Sequence, residues 1–158
     1  MSTAVLERPA AEAGEAAQSY VTLSVADQLC GVPVLAVRDI LAEQAITRIP
    51  LAPPEIAGSL NLRGRIVTAI DLRRRLGLPD APPDASRMSV VAEQGGELYA
   101  LLVDQVSEVL SLPAESLERN PPTLPKQWAA HGQGIHRLQD RLMVVLDVAR
   151  LLALAPEA

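Results

Sequence analysis

Residues 58–76 read GSLNLRGRIVTAIDLRRRL, and 76 positions later residues 134–152 read GIHRLQDRLMVVLDVARLL, aligning without a gap. Gly58 falls on Gly134, Arg65 on Arg141, Asp71 on Asp147, Arg74 on Arg150 and Leu76 on Leu152. Apolar alternation alone produces chance matches, so the weight lies on the glycine, arginine and aspartate positions. A second ungapped echo sets VTLSVADQLCGVPVLAVRDIL, from Val21, against VVAEQGGELYALLVDQVSEVL, from Val90. There Leu29 falls on Leu98, Val34 on Val103, Val37 on Val106 and Asp39 on Glu108. Each half then runs hairpin, short turn or helix, hairpin, short helix. The chain reads as two similar β subdomains, one from each half, and not as a solenoid of many stacked repeats.

The segments around the echoes agree with a mostly β chain. Short Val- and Leu-rich runs at 19–25, 58–62, 65–70, 88–94, 97–104, 105–112 and 141–148 are separated by Gly, Pro, Asp and Asn, the texture of antiparallel strands curled into barrels. Residues 34–43, VLAVRDILAE, read as a short helix or strand–helix turn. Residues 71–77 and 148–154 read as short helices, the first ended by Gly77 and Pro79. Asp71 and Asp147 each follow an apolar strand and precede a helical run, which is the position of an N-cap carboxylate. Residues 1–17 read as a flexible Ala- and Glu-rich tail, 18–154 as the folded domain, and 79–86 as a loop.

Composition bounds the function. The 158 residues are 49% hydrophobic but only 2% aromatic, with no Phe, so the core is aliphatic. A net charge of −5 argues against a general nucleic-acid binder. The run Arg73–Arg74–Arg75 reads as a solvated helix face. Cys30 has no partner for an internal disulfide and sits in an apolar stretch, as a buried small hydrophobe does. The absence of an apolar span or a secretory pattern leads us to expect a cytoplasmic protein without membrane insertion.

No constellation for catalysis stands out. His131 and His136 are followed by no Cys partner at zinc-ligand spacing. Gly132-Gln133-Gly134 lacks the third glycine of a dinucleotide fingerprint, since position 137 is Arg. Neither a G-x-S-x-G elbow nor a Walker-type loop occurs. We expect no enzyme, no cofactor and no metal, and a module that works by binding other proteins.

With these motifs laid out, the chain resembles the CheW-type coupling proteins of bacterial chemotaxis, over roughly residues 19–153. The most specific piece is residues 58–73, similar to the family's G-x-x-N-L-R-G-x-[IV]-[VL]-P-[VI]-[IV]-D-L-R. Residues 102–110, LVDQVSEVL, resemble its V-D-x-V-x-E/D-V-L stretch. Further pieces are Cys30-Gly31-Val32, Val37-Arg38-Asp39-Ile40, Thr47-Arg48-Ile49-Pro50 and Asp140-Arg141-Leu142. The resemblance implies two intertwined five-stranded barrels of SH3-like kind with short helices, one at the C-terminus. It implies an adaptor between the cytoplasmic tip of methyl-accepting chemoreceptors and the regulatory domain of the histidine kinase CheA, with other CheW-like domains as further partners. Carried over residue by residue, the receptor-facing positions are Val37, Asp39, Ile40, Arg63 and, more remotely, Met88; kinase-facing residues are left unplaced. Val37 and Ile40, one helical turn apart, would face one way on a helix; simple core packing explains them equally. Arg63 reads either as an interface group or as a hydrogen-bonding member of its own turn. Thr68, Cys30 and Val21 stand where Pro, an aromatic and Phe are usual, changes that bear on groove shape more than on fold. Two other readings stand beside this one: a paralogue serving another signalling array, and a ligand-sensing barrel, which the scarcity of aromatics disfavours.

Overall fold

The computed structural model describes residues 17–153. The expected tail therefore lies outside the described residues except for Ala17, which opens the first strand. Ten strands follow: β1 (Ala17–Val25), β2 (Gln28–Pro33), β3 (Val37–Leu41), β4 (Ile56–Leu62), β5 (Arg65–Asp71), β6 (Met88–Gln94), β7 (Glu97–Val103), β8 (Gln105–Pro113), β9 (Gly132–Arg137) and β10 (Leu142–Leu146). The helices are short: α1 (Leu72–Arg75), α2 (Lys126–His131) and α3 (Val148–Leu152).

The strands form two five-stranded sheets, ordered β8-β1-β2-β10-β9 and β3-β6-β7-β5-β4. If β1–β5 are matched in turn with β6–β10, the two orders are the same, so the internal echo is a structural repeat. The assignment of one subdomain to each half is corrected, however. The first sheet takes β1 and β2 from the first half and β8, β9 and β10 from the second, while β3 crosses into the second sheet. The halves are intertwined.

Each sheet closes on itself. Beyond β3 the chain reaches Thr47, which exchanges two backbone bonds of 2.8 Å with Ser59 of β4, at the opposite edge of the sheet. Beyond β8, Glu118 exchanges two bonds of 2.9 Å with Ile135 of β9. Next to each bridge stands one of the repeated glycines. A Cβ on Gly58 would lie 2.2 Å from the Thr47 carbonyl oxygen, and one on Gly134 would lie 2.5 Å from that of Glu118. Their φ angles, +150° and +159°, are also ones that side chains rarely adopt. The glycine match in the sequence marks the point of closure in each barrel.

Both faces of most strands are covered. Leu23, Val25, Cys30, Val32, Val144 and Leu146 of the first sheet meet Ile70, Val90, Ala92, Leu101 and Val103 of the second in a shared core. The alternate face of the second sheet has its own cluster around Leu60, Val67, Val91, Ala100 and Leu102. That of the first sheet has Tyr20, Met143 and Val145. Burial on both faces explains why the strands read as near-continuous apolar runs. It also fixes Gly31, whose Cβ would fall 2.7 Å from the Met143 methyl.

Residues 34–43 do not form a short helix; of the two expected readings the strand–helix turn comes nearer. A 3₁₀ turn at Val34–Ala36 leads into β3, which pairs with β6 through a bulge between Val37 and Asp39. Helix-like apolar spacing is overridden by β-branched residues and by an open edge on β6. Val37 serves the shared core and Leu41 the second sheet's own cluster. Helix α2 carries no sequence periodicity that six residues could display, and it went unread; it seats Trp128 in the shared core.

The two caps are as expected. Asp71 accepts from the Arg74 N–H at 3.3 Å and Asp147 from that of Arg150 at 3.2 Å. The arginine run is a solvated face only at Arg74, which is exposed and pairs with the exposed Asp80; the half-buried Arg73 binds Asp104, and the half-buried Arg75 binds carbonyls at the end of α3.

Gly58→Ala and Gly134→Ala should each cost about 2 kcal/mol or more, because a backbone carbonyl must move. Gly95→Ala, in open space at φ +61°, should cost only about 1 kcal/mol. Denaturant midpoints of the three variants test this order. Burial pushes the Asp104 carboxyl up, but Arg73 and the Ala26 N–H outweigh it and hold it below the ordinary carboxylate range. Asp104 therefore contributes stability that is complete above the ordinary carboxylate range and is lost as pH falls through the lowered value. Acid unfolding should lose part of its pH dependence in Asp104→Asn.

Candidate functional site

Barrel closure returns the segment after β3 to β4, although β3 and β4 lie at opposite ends of the sheet order. Arg63 stands in the tight turn between β4 and β5. Arg63 at φ 52° and Gly64 at φ 86° supply the two positive angles of a two-residue hairpin. Asn61 Oδ1 accepts from the Gly64 N–H at 2.9 Å and fixes the turn. From there the Arg63 guanidinium Nη2 donates to Asp39 Oδ2 at 2.9 Å, while Asp39 Oδ1 accepts from the Ile40 N–H at 2.8 Å. The Arg63 side chain is 74% exposed and that of Asp39 24%. Ile40, beside them, is 39% exposed.

Of the five expected site residues, three stand at the seam: Asp39 and Arg63 bond to each other, and Ile40, next along β3, is exposed on the alternate face of the strand. The other two do not join them in the same way. Val37 and Ile40 lie on a strand, not on a helical turn, and the bulge between Val37 and Asp39 leaves both on the face of Ala92 and Val90; Val37 packs half-buried against the shared core, while Ile40 is more exposed. Met88, at the start of β6, also packs against that core, and its Sδ accepts from the Val106 N–H at 3.4 Å. Both readings of Arg63 have a basis: its backbone is part of the turn, and its guanidinium lies on the surface.

The other barrel carries a matching feature that the sequence did not announce. Arg137 Nε donates to Glu118 at 3.0 and 3.1 Å, again an arginine–carboxylate pair at the closing seam. Only the structural bridge, not residue spacing, brings Glu118 to β9.

Residues that could suggest chemistry are engaged otherwise. His136 is buried, with Nε2 3.3 Å from the Tyr20 hydroxyl and the two rings edge to face at 5.3 Å. Burial pushes its pKa down against the opposing pull of Glu118. His131 Nδ1 lies 3.0 Å from the Gln127 carbonyl. Burial, with Asp104 adding to it, pushes the Cys30 thiol far up, which suits a packed hydrophobe and not a nucleophile. A cleft of about 470 Å³ is lined by Asp71, Arg74, Asp80 and Arg87, whose charges pair with one another. Among the described residues no group of three or more His, Cys, Asp or Glu is placed to hold a metal ion. No helix among them is long and apolar enough to cross a membrane.

Comparison with known proteins gives a consistent result. A family profile describing the CheW-like domain matches residues 19–155. The chain is 31% identical to the chemotaxis protein CheW of Klebsiella aerogenes over 136 residues, covering 86% of this chain and 82% of that one. It is 30% identical to the chemotaxis protein CheW of Bacillus subtilis over 122 residues, covering 77% and 78%. The crystal structure of the scaffolding protein TtCheW from Thermoanaerobacter tengcongensis superposes with a TM-score of 0.79 at 28% identity, covering 89% of this chain and 95% of that one.

Because the Arg63–Asp39 pair is exposed, its loss should cost no more than about 1 kcal/mol. Arg63→Asn, which suits the left-handed turn position, should unfold within that margin of the unaltered protein. A larger loss in chemical denaturation would assign Arg63 to the fold.

Proposed function

The chain belongs to the family of CheW-like domains, a family of chemotaxis scaffold proteins, and from that premise we propose that it couples transmembrane chemoreceptors to the regulatory domain of a CheA-type histidine kinase without catalysing a reaction itself. The observation that carries this reading is the surface pairing of Asp39 with Arg63, with the exposed Ile40 next to Asp39 along β3. Positions read as receptor-facing in two separate stretches of sequence meet at this pair.

The pair and Ile40 have the chemistry for a helical partner. Ile40 offers an apolar anchor, and helices dock into grooves through such anchors. The Arg63 guanidinium holds Asp39 with one nitrogen and keeps other donors free in direction to reach a carboxylate or carbonyl on the partner. The pair also fixes the shape of the contact surface before binding, which lowers the ordering cost of association. Val37 and Met88 share the sheet face of Ile40 and act as packing beside it, against the shared core. Other CheW-like domains are further candidate partners through barrel-to-barrel contact, and many weak contacts in an array add up to a strong one. This role puts the protein at the cytoplasmic face of a membrane, held there by receptors.

Kinase autophosphorylation in receptor-containing membranes, with CheA from the same organism, tests the proposal. Adding this protein should change the rate severalfold, and only when receptor is present. Ile40→Asp should abolish that change, and Arg63→Asn should reduce it severalfold while the protein stays folded. Equal rates with and without the protein would contradict the coupling role.

A further inference from the structure

The two barrels are joined by two chain crossings of different construction. The first is the 3₁₀ turn at Val34–Ala36, which has no side-chain cap bond and leaves Leu35 85% exposed. The second is a single residue. Asp104 alone separates β7 of the second sheet from β8 of the first.

Asp104 is held from both sides. Its N–H donates to the Ser24 carbonyl at 3.0 Å, and its Oδ2 accepts from the Ala26 N–H at 2.8 Å; both partners belong to the β1–β2 hairpin of the first sheet. From the second sheet, Arg73 of α1 donates through Nε to Oδ1 at 3.0 Å and through Nη2 to Oδ2 at 2.7 Å. The remaining Arg73 nitrogen, Nη1, donates to the Pro79 carbonyl at 3.0 Å. The Arg73 side chain is only 15% exposed.

Two residues further along α1, Arg75 reaches the first barrel again. Its Nε donates to the Leu151 carbonyl at 2.8 Å, and its Nη2 to those of Arg150 at 2.9 Å and Ala153 at 3.2 Å. These are carbonyls of the last turn of α3, which follows β10; that of Arg150 also accepts from the Ala153 N–H. One short helix thus grips the other barrel at two places.

We infer that Asp104, Arg73 and Arg75 form a clasp that fixes the orientation of one barrel against the other. The shared core is aliphatic apart from Trp128 and the flanking Tyr99, and burial of apolar area is non-directional. It resists separation of the barrels more than it resists a small slide between them. A two-pronged guanidinium–carboxylate contact is directional, and so is a guanidinium across helix-end carbonyls. The clasp therefore supplies the angular definition that the core lacks. For an adaptor this definition matters, because it sets the position of one partner's surface relative to the other's. That functional consequence rests on the coupling role proposed above; the geometric claim does not.

The test uses the full chain with spin labels on Gln94→Cys in β6 and Gln133→Cys in β9, one on each barrel. Cys30 is buried and will not take a label. Pulsed electron–electron distance measurement should give a narrow distribution that broadens or shifts in Arg73→Ala and Asp104→Asn. If Arg73→Ala fails to fold, Arg75→Ala provides the second arm, since its contacts are at the helix end and leave the core untouched. In a folded variant, a distribution unchanged from the parent protein overturns the clasp, whatever the protein's partners. A broadened distribution accompanied by a severalfold loss of receptor-dependent kinase control, in the unlabelled variant, supports it fully. A broadened distribution with intact kinase control overturns the functional consequence and leaves the coupling role standing.

Discussion

Each barrel closes where a glycine lets the carbonyl of another segment come up against its own backbone. At Gly58 and Gly134 there is no room for a Cβ beside the Thr47 and Glu118 carbonyls. Without that close approach, β3 and β4 would stay at opposite ends of an open sheet, and so would β8 and β9. Open edges invite pairing with other chains. Closure bridges them at Thr47–Ser59 and at Glu118–Ile135 and, in the same step, brings Asp39 to Arg63 and Glu118 to Arg137. The candidate interaction surface is therefore a consequence of the closure and not an independent feature of either strand.

The second organising constraint is an aliphatic core that must be covered on two faces. Without Phe, volume is filled by Val, Leu, Ile and Ala, with Trp128 brought in by α2 and Tyr20 stacked edge to face on His136. The exchange of β3 and β8 between the sheets makes the shared core a product of both halves, so neither half has a complete sheet of its own. The cost of such a design is that non-local pairings dominate, which is expected to slow folding.

Much of this was legible in the sequence, and the reasons differ by element. The repeat was readable because closure demands glycine and helix capping demands an N-cap residue, and those demands leave the same letters at the same spacing: Gly58 and Gly134, Asp71 and Asp147. The exchange of strands was not readable from the echo, since repeated letters record local geometry but not which sheet a strand joins. The helix reading of residues 34–43 misled because Val34, Val37, Ile40 and Leu41 happen to follow helical spacing, while the pairing partner that overrides it lies far along the chain in β6. The arginine run misled at Arg73 and Arg75 because their partners, Asp104 and the carbonyls after Arg150, are distant in sequence. Of the candidate site, Asp39, Ile40 and Arg63 were legible through the family resemblance, and the pairing of Asp39 with Arg63 only through the fold. Val37 and Met88 lie further inside, and Glu118 with Arg137 had no sequence signal.

The most direct test of the account is a backbone amide NMR titration of this protein with a helical-hairpin fragment from a chemoreceptor tip. The account predicts that shift changes centre on Asp39, Ile40 and the Arg63–Gly64 turn and fade toward β9 and β10. Changes centred on the first barrel, or none at saturating fragment, would contradict it.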